Sequence, residues 1–215
     1  MINKLLDIIF PPTCGICGKI GKKWICSKCY RGLKPYISLK KIQVKKNLYV
    51  YYLFVYKDIL REKILDFKFN DNSYLYRMFV EIILKDKRIC ELIENSDFLI
   101  PVPMYKDNKK KRGYNQDELI CKELSKKLNI VFDNKILVKN KPNKKQSTLN
   151  EFERKMNVKN VYEVENPEII RNKNILLFDD ICTTSATIRE CYKILKKYSN
   201  KITILVLAKS NYKKG

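Results

Sequence analysis

The sequence predicts an α/β protein, a parallel-sheet domain with a small four-cysteine module at its N-terminal end. Three observations carry this. Short unbroken apolar runs alternate with helical patterns from residue 48 onward, and strands of a parallel sheet covered on both faces read as continuous hydrophobic segments. Four cysteines, Cys14, Cys17, Cys26 and Cys29, fall within sixteen residues. The chain has 215 residues, 45% hydrophobic and 32% charged, which suits one ordinary domain with a small appendage rather than a disordered chain.

The first ten residues place Ile2, Leu5, Leu6, Ile9 and Phe10 on one helical face. Lys4 and Asp7 interrupt that run and Pro11-Pro12 end it, which is not a signal-peptide pattern. Residues 13–32 form the cysteine module, and 33–47, punctuated by Pro35, read as a connector or hairpin. The expected division is therefore 1–47 for the module with its helix and connector, and 48–215 for the α/β domain. LYVYYLFV (48–55) reads as a buried strand, and 58–69 as a helix with Ile59, Leu60, Ile64, Leu65 and Phe67 as core candidates. Residues 74–84 continue helically. FLIPVP (98–103) is a short strand ended by prolines. Residues 117–128 form a helix with Leu119, Ile120, Leu124 and Leu128 on one face. A polar loop (140–147) precedes a Thr148/Glu151 capping box. NILLF (174–178), 185–198 and ITILVLA (202–208) complete a strand, helix, strand series.

Composition excludes several chemistries. There is no histidine, so no Ser-His-Asp triad, no Cys-His dyad and no imidazole metal ligand. The formal charge is +22, which points to a polyanion, an anionic membrane surface or a phosphorylated ligand. A lysine-rich background explains the same excess. No run reaches 18 apolar residues, so no membrane span is expected, and the chain reads as cytoplasmic and reducing.

Cys14-x2-Cys17 and Cys26-x2-Cys29 can bring four thiolates onto one tetrahedral Zn2+, with Gly15 and Gly18 allowing the first knuckle its turn. Such a closed site is structural. The alternative is a pair of redox CxxC motifs. Cys90, Cys121 and Cys191 read as small buried apolar residues.

The densest chemical signal is NILLFDDICTTSATIRE, 174–190. A strand runs into Asp179-Asp180, then into Thr183, Thr184, Ser185, Ala186 and Thr187, then into a helix. Ligands of open parallel sheets bind beyond the carboxyl ends of strands. A helix N-terminus offers unpaired N–H groups to an anion. Two carboxylates suit sugar hydroxyls or a hydrated Mg2+. The pattern describes a sugar-phosphate site; an ordinary Asp–Thr cap explains only one of its hydroxyls. A second candidate is the basic loop 106–112, KDNKKKR, ahead of Gly113. It faces the same crevice if the strand at 98–103 lies beside 174–178. Tyr114, Asn115 and Gln116 open the helix that follows, and 140–154 is long and polar enough to be a lid.

LLFDDICTTSAT resembles the phosphoribosyl-pyrophosphate (PRPP) signature of type I phosphoribosyltransferases. With the cysteine knuckles, YKDILREKILDFKF, PVPMYKDNKKKRGYNQDEL, and Gln146, Leu149, Arg154 and Asn157 of QSTLNEFERKMN, nearly the whole chain resembles the ComF family. That family joins a four-cysteine zinc module to a phosphoribosyltransferase-like domain. The resemblance implies PRPP or a related ribose-phosphate bound with Mg2+. Asp179 and Asp180 would lie on the ribose, residues 183–187 on the phosphate, and Lys111, Arg112 and Gly113 on the pyrophosphate. Any reaction would displace pyrophosphate at the anomeric carbon. The family usually has glycine where this chain has Ser185. It also implies a role in competence, DNA uptake and transformation, with single-stranded DNA and a DNA-uptake helicase as partners. On that alternative the chain is a non-catalytic nucleic-acid-binding factor that keeps the pocket as a ligand sensor, with Trp24, Tyr30 and Tyr36 near lysines as stacking surfaces.

Overall fold

The computed structural model describes residues 11–141 and 161–210. The expected N-terminal helix, the Thr148/Glu151 cap, Gln146, Leu149, Arg154 and Asn157 lie outside them. Helix α1 (Ser27–Leu33) closes the cysteine module. Strands β1 (Lys40–Lys45) and β2 (Leu48–Val55) follow, then helices α2 (Asp58–Phe69), α3 (Leu75–Leu84) and α4 (Lys87–Glu94). Strand β3 (Phe98–Pro101) leads to α5 (Lys106–Arg112) and α6 (Gln116–Leu128). Short strands β4 (Val131–Phe132), β5 (Leu137–Lys139) and β6 (Tyr162–Val164) precede β7 (Asn174–Cys182), α7 (Ala186–Leu195) and β8 (Lys201–Lys209).

The main sheet has the order β1-β2-β8-β7-β3-β4. All its pairings are parallel except β1 with β2. This is the expected α/β architecture. Its centre, β7, buries both faces. Leu176 and Phe178 pack with Leu53, Phe67, Phe79 and Leu205 under the helical layer. Ile175 and Leu177 pack with Val50, Ile188, Cys191 and Val206 on the opposite side. Alternate side chains of a strand point to opposite faces, so a continuous apolar run is what two covered faces require. The β5–β6 pair is antiparallel and adds Leu137 and Tyr162 to the second layer.

Three local differences from the sequence reading have physical causes. Strand β7 continues four residues past Phe178, because β8 pairs with it as far as Cys182 and Lys209. Asp179 and Asp180 therefore sit in the strand. Residues 106–112 form a helix rather than a loop, ended by Gly113 at φ +82°, a left-handed position that glycine adopts at no steric cost. The boundary expected at 47/48 falls inside the β1–β2 hairpin, where Lys45 pairs with Leu48.

The cysteine module is fastened to α3. The Ile25 N–H donates to Glu81 Oε2 at 2.8 Å. Gly15 needs its missing Cβ for packing: a methyl there would meet Met78 Sδ at 2.7 Å and Leu75 Cδ2 at 2.8 Å. Gly18 is the knuckle glycine with a left-handed backbone, φ +72°. The Arg77 guanidinium lies 4.4 Å from the centre of the Trp24 ring, and the Lys85 ammonium 4.7 Å from that of Tyr30. Both rings pack against the core, so of the three aromatics expected to stack on nucleic acid only Tyr36 is exposed, at 55%.

Candidate functional site

All eight cysteines are unpaired. The sulfurs of Cys14, Cys17, Cys26 and Cys29 lie within 4.8 Å of one another, and those of Cys17 and Cys26 are 3.9 Å apart. Four thiolates at about 2.3 Å from one zinc ion stand about 3.8 Å apart, so the cluster has the spacing that a tetrahedral ion needs. Burial raises the Cys14 thiol, but backbone N–H groups of Cys26, Cys17 and Ile16 outweigh it and bring it down to about 6. Burial and the neighbouring thiols raise Cys29. Of the other cysteines, Cys121 and Cys191 are fully buried and Cys90 is half-buried.

The second cluster forms at the carboxyl end of β7. One oxygen each from Asp117, Asp179 and Asp180 lies within 4.8 Å of the others. Asp180 is 3% exposed, and each of its oxygens has one partner. Its Oδ1 takes an ion pair from Lys68 Nζ at 2.8 Å, and its Oδ2 accepts from Gln116 Nε2 at 2.6 Å. Gln116 Oε1 in turn accepts from the Arg112 guanidinium at 2.5 Å. A chain of contacts thus runs from α2 through Asp180 to the end of α5. Burial lowers the Lys68 ammonium, yet Asp180 holds it above the usual lysine value. Burial, reinforced by Asp180, pushes Asp179 up to about 7, and raises Asp117 well above the usual carboxylate range.

The two aspartates expected as an equivalent pair are therefore different. Asp180 is tied to the helical layer. Asp179 accepts from the Asp180 N–H at 3.0 Å and faces the opposite layer, where Lys139, lowered by burial, feels its charge. Tyr162 stands there too, raised by burial, with Thr187 beside its hydroxyl.

Residues 183–185 turn from β7 into α7, and Asp179 with residues 181–188 lines a cavity of about 30 Å³. By the measure in which one water needs about 10–15 Å³, this is the room of a phosphate group. Thr183, Thr184 and Thr187 are open or half-open to it. Lys209 Nζ donates to the Thr183 carbonyl at 3.0 Å and steadies the turn. Ser185 has φ +61°. This left-handed backbone is where glycine is favoured, and an L side chain there costs about 1–2 kcal/mol. Its hydroxyl lies 3.3 Å from the Cys182 sulfur. It gives α7 no side-chain cap, so the N–H groups of the first turn are left to face the cavity.

Strand β3 pairs directly with β7, Pro101 opposite Phe178, which puts α5 at the same sheet edge as the acidic pair. Lys111 is exposed. The Arg112 guanidinium lies 5.1 Å from the centre of the Phe69 ring, besides its bond to Gln116, and Lys109 pairs with Glu118 at 2.7 Å. Lys68 and Asp117 escape the sequence reading. Lys68 looks like one more surface lysine in a chain with 45 Lys and Arg, and Asp117 like an ordinary first-turn acid. The one local signal is that Asn115 already caps α6, accepting from the Asp117 N–H at 3.0 Å, which leaves the Asp117 carboxylate without a capping role.

A double zinc ribbon domain profile matches residues 5–40. The chain is 28% identical over 193 residues to competence protein F of Haemophilus influenzae, covering 86% of this chain and 79% of that protein. It is also 28% identical over 123 residues to the DNA utilization protein YhgH of Escherichia coli, covering 57% of this chain and 53% of that one. Two solved structures are similar in outline. Orotate phosphoribosyltransferase from Aeropyrum pernix is 14% identical with a TM-score of 0.40, covering 83% of this chain and 80% of that one. Adenine phosphoribosyltransferase from Saccharomyces cerevisiae is 12% identical with a TM-score of 0.43, covering 86% and 89%. The ribbon match and the four close sulfurs together support a structural zinc ion. Among the described residues no helix is long and apolar enough to cross a membrane.

Proposed function

We propose, from a chain that belongs to the ComF family and carries its N-terminal zinc module, that the α/β domain binds PRPP or a related ribose-phosphate with Mg2+. One observation carries this reading. A cavity of phosphate size, ringed by hydroxyls and the first turn of α7, opens beside the Asp179 carboxylate. Helix N-termini and hydroxyls favour a phosphate there, and Asp179 accepts from ribose hydroxyls. Asp180 takes the supporting part, since its oxygens are committed to Lys68 and Gln116. Lys111, Arg112 and Gly113 sit at the sheet edge where a pyrophosphate leaves. Arg112 reaches it by releasing Gln116. The carboxylate oxygens suit a hard cation such as Mg2+, which when bound neutralises pyrophosphate charge. Such a site supports displacement of pyrophosphate at the anomeric carbon, with no histidine required. We also place the boundary of the two units before Lys40, where the sheet begins.

PRPP with Mg2+ is expected to raise the melting temperature of the zinc-loaded protein. Asp179→Asn should remove most of that rise. An unshifted wild type would sink the reading.

A second reading has its own observation. The turn between β1 and β2 and the outer face of α7 enclose a groove of about 910 Å³. Lys45, Lys46, Arg189, Lys193, Lys196 and Lys197 line it, together with Glu190 and with Ala186 at the start of α7. The spacing of cations along a groove suits the backbone of single-stranded DNA, in keeping with the competence and DNA-utilization names of the relatives. Binding should weaken steeply with salt. Charge reversal at Lys193 and Lys196 should flatten that slope, and a slope unchanged by reversal would move the DNA elsewhere.

A further inference from the structure

We propose that Asp117, Asp179 and Asp180 form a divalent-cation site that fills without any sugar-phosphate, with Asp117 as a direct ligand. The claim goes beyond the PRPP reading and does not depend on it. An acidic cluster alone would not carry it. The second observation is Asp117 itself, 3% exposed, whose Oδ1 is buried without a hydrogen-bond partner among the described residues. A buried polar oxygen left unpaired is costly, and natural sequences seldom keep one without use.

Nothing nearby relieves it. The Gln116 amide donates to Asp180 Oδ2 at 2.6 Å and to Asp117 Oδ2 at 3.5 Å, and leaves Asp117 Oδ1 without a donor. The Lys68 ammonium is spent on Asp180. Arg112 and Lys139 influence Asp117 and Asp179 from farther away, and among the described residues neither aspartate makes an ion pair. The one ammonium bonded into the cluster sits on Asp180, so Asp117 and Asp179, with oxygens within 4.8 Å of that carboxylate, have no bonded cation of their own among the described residues. The capping role that would otherwise account for Asp117 belongs to Asn115.

The donor set is all carboxylate oxygen, so the ion is hard: Mg2+, Mn2+ or Ca2+. Oxygens on opposite sides of Ca2+ stand about 4.8 Å apart and those around Mg2+ about 4.2 Å. The three oxygens here fall within 4.8 Å. They take the larger ions directly, and Mg2+ after drawing inward or through a water.

The test uses the zinc-loaded full chain with no PRPP present. Mn2+ binding is followed by electron paramagnetic resonance, and melting is followed with Mg2+ or Ca2+. The wild type should bind one Mn2+ and melt higher with cation. Asp117→Asn should weaken Mn2+ binding roughly tenfold or more. It should also keep its zinc and its cooperative melting without added cation, which shows that the fold is intact. A wild type that responds to none of the three cations overturns the site, and so does an Asp117→Asn protein that responds equally. If PRPP with Mg2+ stabilises the chain where cations alone do not, this proposal fails and the PRPP reading stands. If cations act and PRPP adds nothing, the reverse holds.

Discussion

Cys14, Cys17, Cys26 and Cys29 lie within sixteen residues, whereas Asp117, Asp179, Asp180 and Lys68 come from α6, β7 and α2. Both clusters gather anionic ligand atoms within 4.8 Å. The first does so with two short knuckles and soft sulfur, at a module face where Cys17 is exposed. The second does so with buried hard oxygen at the carboxyl edge of a sheet, and ties one member to a lysine. The comparison separates two ways of storing an ion site in a chain. A local site depends on its own spacing and can lose its ion with the rest of the protein intact. A distributed site depends on the packing of every element that contributes to it.

Zinc removal should be the largest perturbation. Replacing Cys14 and Cys17 by Ser takes away two thiolates, and structural zinc contributes on the order of 10 kcal/mol to modules of this kind. Metal analysis should fall from one zinc per chain to none. Hydrogen exchange should show 13–33 unfolded while β7 and β8 keep their protection. Loss of protection across the whole sheet would show that the ribbon is not a local unit. Next comes Lys68→Met, which keeps the length of the side chain but strands the buried Asp180 charge. Breaking a buried pair from one side costs about 3–5 kcal/mol, read by denaturant melting. Asp180→Asn added to Lys68→Met should recover much of that loss, and no recovery would mean that the pair is not what holds Asp180. The smallest effect is Ser185→Gly. Relief of the left-handed backbone should stabilise by about 1 kcal/mol, less whatever the Cys182 contact contributes. A fall in stability would mean that the hydroxyl contact outweighs the strain.

Much of the fold is legible in the sequence because strands and helices are periodic over short windows. Helix α2 at 58–69 and strand β2 at 48–55 coincide with their patterns. The Asp179-Asp180 and hydroxyl-loop segment is legible because its parts are consecutive. The end of β7 is not, because polar residues at 179–180 read as a loop until Lys68 and Gln116 are seen to compensate Asp180. The helix at 106–112 is hidden by its charge, since seven polar or basic residues carry no apolar face.

The α/β class, the four-cysteine module and the hydroxyl-rich turn after β7 are written in the chain, since each depends on residues close together in it. The different surroundings of the two aspartates, the need for Gly15 against Met78 and Leu75, and the approach of Asp117 to the acidic pair emerge only in the folded molecule. Those facts depend on which helix packs over which end of the sheet. A partner that arrives from another element changes the charge, solvation and purpose of a side chain without leaving a mark in its neighbours.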